Sequence, residues 1–244
     1  LENIDKVNMD KKKQNVFRGE IYFLRGFFYA TLLKLYGGVP LLKTTLSFSD
    51  PIPSRSSEED VYNFIISDLD SAATLLPITQ EEVGRATKGA AIAEKAIISN
   101  FMNKYKEAAK YAKELITLGI YDLHPNYAEL FLPTYENNVE VIFDRQYMEN
   151  AKDKSLGSDI DQFFAPQMMG GWEAVSPTKD LIDTYECIDG KSIQESPLYD
   201  ENNPFLNRDP RLEYSILHDG SVIADKIFSS EGRVGDGNST RTGY

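Results

Sequence analysis

The chain has 244 residues, of which 41% are hydrophobic and 11% aromatic, so it can bury a sizeable core and is not a disordered chain. Its formal net charge of -12 excludes a nonspecific binder of nucleic acid or of anionic lipid, because both need a basic protein surface. No uninterrupted apolar run approaches the roughly 20 residues that span a bilayer, so no segment is predicted to insert into a membrane.

The first predicted element is a strongly apolar helix that begins near Asp10 and ends at about Tyr36. Two glycines follow it and can take the left-handed conformation that ends a helix, and Pro40 makes the chain leave extended. Helical spacing places six large apolar side chains on one stripe, which we expect to be the buried face of the helix. These residues are Phe17, Ile21, Leu24, Phe28, Leu32 and Leu35.

The second predicted helix begins at a capping box. Ser56 and Glu59 have the spacing of this motif, in which the serine side chain and the glutamate side chain each bind a backbone N–H of the first turn. Apolar residues at helical spacing then continue until Pro77, which ends the helix.

The third and fourth predicted helices are joined by only two or three residues. The third begins near Thr87, and the fourth runs from about Tyr105 until Gly119 caps it. Small residues on the third helix let a neighbouring helix approach closely, namely Ala90, Ala91, Ala93 and Ala96. Short-linked helices of this kind predict degenerate tetratricopeptide-like repeats.

After Tyr121 the sequence becomes rich in turn-forming residues. Residues 139–143 have the composition of a short strand or an extended run. Past about residue 145 we expect long loops with a few short helices, such as one at 177–185. The last segment contains Gly232, Gly235, Gly237 and Gly243 and has no closing apolar element.

The order of these segments closely resembles the SusD/RagB family of outer-membrane nutrient-binding lipoproteins from the Bacteroidetes. Six collinear stretches carry the resemblance: 18–42, 54–77, 84–91, 121–131, 137–147 and 207–216. The resemblance implies a mostly α fold, with a tetratricopeptide-like α-α superhelix in residues 1–120 and an incomplete, loop-rich ligand-binding segment in 121–244. It also implies that the chain is an internal piece of a longer lipoprotein, because the single cysteine, Cys187, lies far from the N-terminus where the lipid would be attached.

The resemblance further implies a function at the outer face of the outer membrane. The protein would be held there by a lipid anchor outside this chain, capture an oligosaccharide without cleaving it, and deliver it to a TonB-dependent, SusC-like transporter. No cofactor or metal is implied. Two alternatives remain: capture of peptides, as in RagB-like uptake proteins, and a helical-repeat adaptor for a protein partner.

The candidate ligand-binding residues lie in the loop-rich half. Sugar binding needs flat aromatic faces beside planar amides, carboxylates or guanidinium groups. Trp172, the only tryptophan, follows two glycines on a loop that could present its ring. The neighbouring candidates are Tyr147, Phe163, Phe164, Gln162 and Arg145. The alternative for Trp172 is that its ring anchors this segment against the helices.

Evidence for catalysis or metal binding is thin. His124 and His218 have no metal-ligand spacing, and Cys187 is expected to be a small buried thiol. Two carboxylate pairs could act on a sugar, Asp159 with Asp161 and Asp180 with Asp183, although a chain with 38 acidic residues contains such pairs by composition alone. A turn at Gly235, Asp236, Gly237 and Asn238 lacks the ligand spacing of a calcium loop.

Two arginine-containing motifs are expected to be structural. In the segment 207–211, Arg208 and Arg211 flank an aspartate and a proline, an arrangement that favours ties between loops. In the segment 84–91, Gly84 and Thr87 predict a turn followed by a helix cap, with Arg85 between them.

Overall fold

A computed structural model of the protein describes residues 1–47, 49–148, 157–223 and 225–229, with only the backbone described at Met168. The glycine-rich residues 232–243, including the turn at Gly235, lie outside the described residues. The chain forms two compact units. The first comprises Leu1–Pro125 and Leu132–Gln146, and the second comprises Asn126–Phe131 and Tyr147–Tyr244.

The first unit is built on four helices, each packed on the next in chain order. They are α1 (Lys11–Tyr36), α2 (Glu58–Leu75), α3 (Lys88–Phe101) and α4 (Tyr105–Thr117), with short 3-10 turns at Ile4–Lys6 and Pro133–Tyr135. The helices α1 and α2 are antiparallel, because Gly19 lies against Leu76 while Gly26 lies against Leu69. All four helices confirm the elements predicted from the sequence.

The capping residues explain where these helices begin and end. Asp10 accepts a hydrogen bond from the backbone N–H of Lys13, and Thr87 accepts one from Ala90, so both predicted N-terminal caps are confirmed. The capping box predicted at Ser56 and Glu59 is wrong by one position. The N-cap of α2 is Ser57, whose side chain accepts the backbone N–H of Asp60, because the extended chain continues one residue further before the helix begins.

The predicted buried face of α1 is wrong. The helix directs Gly19, Phe23, Gly26, Ala30 and Leu33, here called the inner stripe, into the core of the unit. The two glycines allow α2 to approach so closely that a Cβ at Gly26 would lie 3.1 Å from the Leu69 side chain. This side of α1 is therefore buried because its small residues allow α2 to cross it closely. The six large apolar residues lie on the opposite side, where Phe28 is 61% exposed and Leu35 is 69% exposed.

The strand predicted at 139–143 is also wrong, because the segment forms turns. Asn137 has φ 56°, and the Asn138 side chain donates to the Tyr135 carbonyl and accepts the backbone N–H of Glu140. These local asparagine bonds replace the ladder of a strand. Phe143 instead packs edge-on against Phe23, with ring centroids 4.9 Å apart, and joins the core of the first unit.

The second unit contains short elements joined by long connections, as the sequence predicts. Its helices are α5 (Ile160–Phe164), α6 (Lys179–Thr184) and α7 (Pro210–Ser215), with a 3-10 turn at Gln167–Met169. A two-stranded antiparallel hairpin, β1 (Val222–Ile223) and β2 (Lys226–Ile227), follows them. The small core contains Ile182, Leu212 and Ile216.

Arg208 joins the connections of the second unit, which confirms the structural role expected for it. Its guanidinium is buried and donates to three backbone carbonyls, those of Pro204, Ile182 and Tyr185, at 2.7 to 2.9 Å. Cys187 is buried and pairs through its backbone with Arg208, so the expected buried thiol is confirmed as well. In the described part of the chain, none of the helices has the length and apolar character needed to cross a membrane.

Candidate functional site

The loop that carries Trp172 is tied by its backbone to α5. The backbone N–H of Trp172 donates to the Gln162 carbonyl at 2.7 Å, and that of Ala174 donates to the Phe163 carbonyl at 2.9 Å. The N–H of Glu173, between them, donates to the Ala165 carbonyl at 3.1 Å. Three successive main-chain bonds therefore fix the position from which the indole projects.

The two glycines before Trp172 have separate roles in this loop. Gly170 ends the 3-10 turn with φ 84°, in the left-handed region that favours glycine. Gly171 passes so close to the Ala165 backbone that a Cβ there would overlap the Ala165 carbonyl oxygen. Glu173 also has a positive φ of 49°, which is uncommon for a residue with a side chain. The loop thus has a defined, tightly turned backbone.

Phe163 and Trp172 form an exposed pair of rings, here called the aromatic corner. Their centroids are 4.8 Å apart with an interplanar angle of 80°, the edge-to-face arrangement that aromatic pairs favour. Trp172 is 53% exposed and Phe163 is also exposed, so the contact leaves ring faces open to solvent. Sequence reasoning placed these two residues together, and the structure brings them into direct contact.

The other candidate residues differ in how they relate to the aromatic corner. Phe164 is exposed at the end of α5, and Gln162 contributes its backbone carbonyl to the bond from Trp172. Tyr147 is the first residue of the longer of the two segments that form the second unit, and its ring is exposed. Arg145 is exposed and belongs to the first unit.

A buried hydroxyl lies shortly after the loop. Ser176 is four residues beyond Trp172, and its Oγ is buried with no hydrogen-bond partner among the described residues. Buried hydroxyls normally have a partner, so this one is an exception among the described residues.

A second exposed aromatic group was not predicted from the sequence. Tyr127 packs edge-on against Phe131 at 5.8 Å and lies beside Tyr214 at 6.4 Å with a 33° tilt, all within the second unit. All three rings are exposed, Phe131 to 76%. Tyr127 and Tyr214 are 87 positions apart in sequence, so no local pattern could have joined them, although both lie in stretches that carry the family resemblance.

Ion pairs stabilise the helix beside this second group. Asp209 is the N-cap of α7 and accepts the backbone N–H of Arg211 at 2.9 Å. The side-chain bonds from Arg211 lower the pKa of Asp209 below its usual range, because they favour the ionised carboxylate. Asp209 and Arg211 thus compensate each other's charge.

Both histidines and one of the paired carboxylates, Asp183, contact neighbouring side chains. His124 lies edge-on to Tyr135 at 5.1 Å, and the buried ring of His218 stacks on Phe205 at 3.7 Å with Glu213 at its Nε2. Asp183 pairs with Lys179 one helical turn away. Among the residues described, no three His, Cys, Asp or Glu side chains are grouped so that they could hold a metal ion.

Comparison with known proteins assigns both halves of the chain to one family. A family model described as "Starch-binding associating with outer membrane" matches residues 1–100, and the model described as "SusD family" matches residues 139–244. A SusD-like protein of Formosa agariphila is 30% identical over 183 residues, which are 66% of this chain and 36% of that protein. The starch-binding protein SusD of Bacteroides thetaiotaomicron is 30% identical over 128 residues, which are 50% of this chain and 22% of that protein.

Solved structures show the same architecture. The crystal structure of a SusD-like carbohydrate binding protein from Bacteroides fragilis superposes with a TM-score of 0.86 at 30% identity, over 96% of this chain and 48% of that protein. The chain therefore has the mostly helical, tetratricopeptide-like fold of SusD-like proteins and spans about half, or less, of the length of these relatives. Two collinear family matches and this shared fold lead to one conclusion: the chain belongs to the SusD/RagB family.

Proposed function

We propose that this protein captures a neutral oligosaccharide and that the aromatic corner of Phe163 and Trp172 contacts the sugar. The observation that carries the proposal is the exposed indole held on a loop whose backbone is fixed by three hydrogen bonds. Stacking on a sugar needs an aromatic face that is already in position, since ordering a mobile loop on binding would reduce the affinity.

The charge of the chain supports a neutral ligand. With a formal net charge of -12, the chain repels polyanions such as acidic polysaccharides at long range. A neutral glycan is indifferent to that charge and gains from contact with the apolar ring faces. Relatives described as starch-binding or carbohydrate binding support this ligand class.

We further propose that the captured oligosaccharide passes to a TonB-dependent, SusC-like transporter in the outer membrane. The description of the family model that matches residues 1–100 places its members at the outer membrane, which supports this location. A lipid anchor outside these residues would hold the protein at the cell surface. In this arrangement the repeat helices would pack on the barrel, while the loops of the second unit would face the ligand. The protein would bind its ligand and leave it uncleaved.

Calorimetric titration of the full-length protein with neutral oligosaccharides tests the ligand proposal. The variant Trp172→Ala should lose at least about tenfold in affinity, equivalent to about 1.4 kcal/mol. It should keep its circular dichroism, because the bonds that hold the loop come from the backbone. The matched control is Tyr105→Ala, which removes an exposed aromatic ring from α4 in the first unit and should bind normally.

Three other outcomes would replace the proposal. Normal glycan binding by Trp172→Ala would mean that the sugar is held elsewhere and that the indole anchors the segment. Saturable binding of basic peptides without any glycan binding would favour peptide capture, which the acidic surface would assist. Release of shortened products from an oligosaccharide would contradict binding without cleavage.

A further inference from the structure

The second exposed aromatic group repeats the geometry of the aromatic corner within the same unit. Tyr127 and Phe131 meet edge to face, with ring centroids 5.8 Å apart and an interplanar angle of 82°. The corresponding values at the aromatic corner are 4.8 Å and 80°. Tyr214 adds a third ring, whose centroid lies 6.4 Å from that of Tyr127. All three rings are exposed, so the second unit presents ring faces to solvent in two places.

The turn that carries Tyr127 and Phe131 is held by local hydrogen bonds. The side-chain oxygen of Asn126 accepts the backbone N–H of Ala128 at 3.0 Å, and its carbonyl accepts that of Glu129 at 3.2 Å. An asparagine that binds the backbone two residues on is the mark of an Asx turn. The turn therefore holds the two rings in place before any ligand binds, which reduces the entropy lost on binding.

Tyr214 is directed to solvent by the way in which α7 packs. Leu212 is buried in the small core of the second unit, and Tyr214, two residues on, lies about 200° around the helix from it. The helix follows directly on Arg208, whose guanidinium is bound to three backbone carbonyls. The contact of Tyr214 with Tyr127 thus joins two elements that are each held independently.

Polar groups border these rings. Arg211 lies three residues before Tyr214, on the same side of α7, and its Nε donates to both Asp209 oxygens at 2.9 and 3.0 Å. The pKa of Arg211 is raised by its bonds to Asp209 and, to a smaller extent, by Tyr127, so its guanidinium lies near the Tyr127 phenol. Because Arg211 and Asp209 compensate each other's charge, this border suits a neutral ligand. Two phenolic hydroxyls add groups that can donate and accept hydrogen bonds.

We propose that the second exposed aromatic group is a further carbohydrate-binding surface, whose rings stack on a stretch of a neutral polysaccharide chain beyond the stretch held at the aromatic corner. The proposal rests on the proposed function for the class of ligand. Apolar ring faces beside hydroxyls and a compensated ion pair match the C–H faces and hydroxyls of a sugar. A chain that contacts both surfaces binds the second one at a high effective concentration, so the protein holds a polymer more tightly than a short oligosaccharide.

Calorimetric titration of the full-length protein tests this surface with three neutral polysaccharides, namely starch, laminarin and xyloglucan, and with short oligosaccharides cut from each. Tyr214→Ala and Phe131→Ala should each bind the polysaccharide at least about tenfold more weakly than the natural protein, with unchanged affinity for the short oligosaccharide. Tyr214→Phe keeps the ring and should retain most of the affinity. Tyr105→Ala, which removes an exposed ring from α4, should bind both ligands normally.

Two results of these titrations would overturn the inference, and they can be told apart. If Tyr214→Ala and Phe131→Ala bind the polysaccharide as the natural protein does while Trp172→Ala does not, only this inference fails and the proposed function stands. If the natural protein binds none of the glycans, both fail.

Radical footprinting of the unmodified protein covers the case in which a variant does not fold. Phe131 and Tyr214 should be oxidised readily without sugar and protected once the polysaccharide is added, whereas oxidation of Tyr105 should not change. Rings that are already protected without sugar would be covered by other polypeptide, and this result would overturn the inference. Oxidation that stays the same when the polysaccharide binds would overturn it as well.

Discussion

The guanidinium of Arg25 on α1 binds the carboxylate of Asp68 on α2 through two hydrogen bonds, from Nε at 2.6 Å and from Nη2 at 2.8 Å. The Asp68 side chain is only 5% exposed, and the guanidinium also lies over the Phe64 ring at 4.8 Å. The pair lies next to the close approach of Gly26 to Leu69. It therefore helps to fix the register of α1 on α2 where Gly26 meets Leu69.

Removing the arginine should be strongly destabilising. Arg25→Ala leaves a buried carboxylate without its partner, and we expect a loss of about 3 kcal/mol in the free energy of unfolding. Arg25→Lys keeps the charge but cannot form both hydrogen bonds of the guanidinium. Its free energy of unfolding should therefore lie between those of Arg25→Ala and the natural protein. Urea denaturation of the full-length protein measures both changes.

The matched control is Arg18→Ala, because Arg18 pairs with Asp5, whose side chain is well exposed. That variant should lose less than about 1 kcal/mol in the free energy of unfolding. Equal losses for the two alanine variants would show that burial of Asp68 does not set the cost.

The buried carboxyl of Glu94 on α3 should reduce stability at neutral pH. Burial raises its pKa above the ordinary value of 4.5, more than the attraction of Lys34 at 3.2 Å lowers it. The folded state thus holds the proton more tightly than the unfolded state, so stability is lost as pH rises from about 4.5 through the raised pKa. Glu94→Gln removes this loss and keeps an acceptor oxygen for Lys34. Its melting temperature should exceed that of the natural protein by a few degrees at pH 7, and the difference should vanish below pH 4 or so.

Glu59→Gln is the control for this pH dependence. Glu59 is exposed and pairs with Lys104 at 3.0 Å, so its replacement should change stability by less than about 0.5 kcal/mol at any pH. A constant melting difference for Glu94→Gln across the same pH range would contradict the role assigned to its ionisation.

Gly171→Ala should disrupt the loop of the aromatic corner. The added Cβ would overlap the Ala165 carbonyl oxygen, so the bonds that tie the loop to α5 must break or shift. We expect a loss of at least about tenfold in glycan affinity, equivalent to about 1.4 kcal/mol, with the helical circular dichroism retained. The difference in fluorescence between the protein and its Trp172→Phe variant isolates the emission of this indole. In Gly171→Ala that emission should shift to the emission of a more solvated ring.

Gly170→Ala is the comparison for that variant. At Gly170 the added Cβ would have no heavy atom within 4 Å. The cost of this substitution is therefore only that of placing a residue with a side chain at a positive φ of 84°. That cost is about 1 to 2 kcal/mol, so Gly170→Ala should perturb the loop less than Gly171→Ala. The reverse order would mean that the close approach to Ala165 is not what holds the loop.

The second exposed aromatic group, formed by Tyr127, Phe131 and Tyr214, allows the extent of the glycan surface to be measured. Tyr214→Ala should leave the affinity for a short oligosaccharide unchanged if the aromatic corner alone binds it. Loss of affinity in this variant, with Trp172→Ala unaffected, would move the binding surface to this second group. Titrations of both variants with the same oligosaccharide distinguish the two positions.

Local signals in the sequence were sufficient to predict the helices. Asp10 and Thr87 cap helices through bonds to residues three positions away, and such bonds depend on little else. The buried face of α1 was not predictable in the same way. Size and apolarity favoured the side of α1 that carries Phe28 and Leu35, whereas the structure buries the side on which Gly19 and Gly26 allow α2 to approach. A helix with two apolar sides does not reveal which neighbour each side meets.

The candidate site was predictable only where its parts are close in sequence. Phe163 and Trp172 are nine positions apart and are joined by one loop, so reading them together was possible. Tyr127 and Tyr214 meet through the tertiary fold, which no spacing reveals. The strand expected at 139–143 did not form, since the positive φ of Asn137 turns the chain and the Asn138 side chain bonds to the backbone locally.

The backbone ties between 162–165 and 172–174 make this part of the protein exchangeable. Because the bonds run from main chain to main chain, they tolerate other side chains at Phe163 and Trp172 as long as Gly170 and Gly171 remain. Under the proposed function, a cassette of about fifteen residues could thus be grafted between relatives to alter sugar preference while the helical scaffold stays the same.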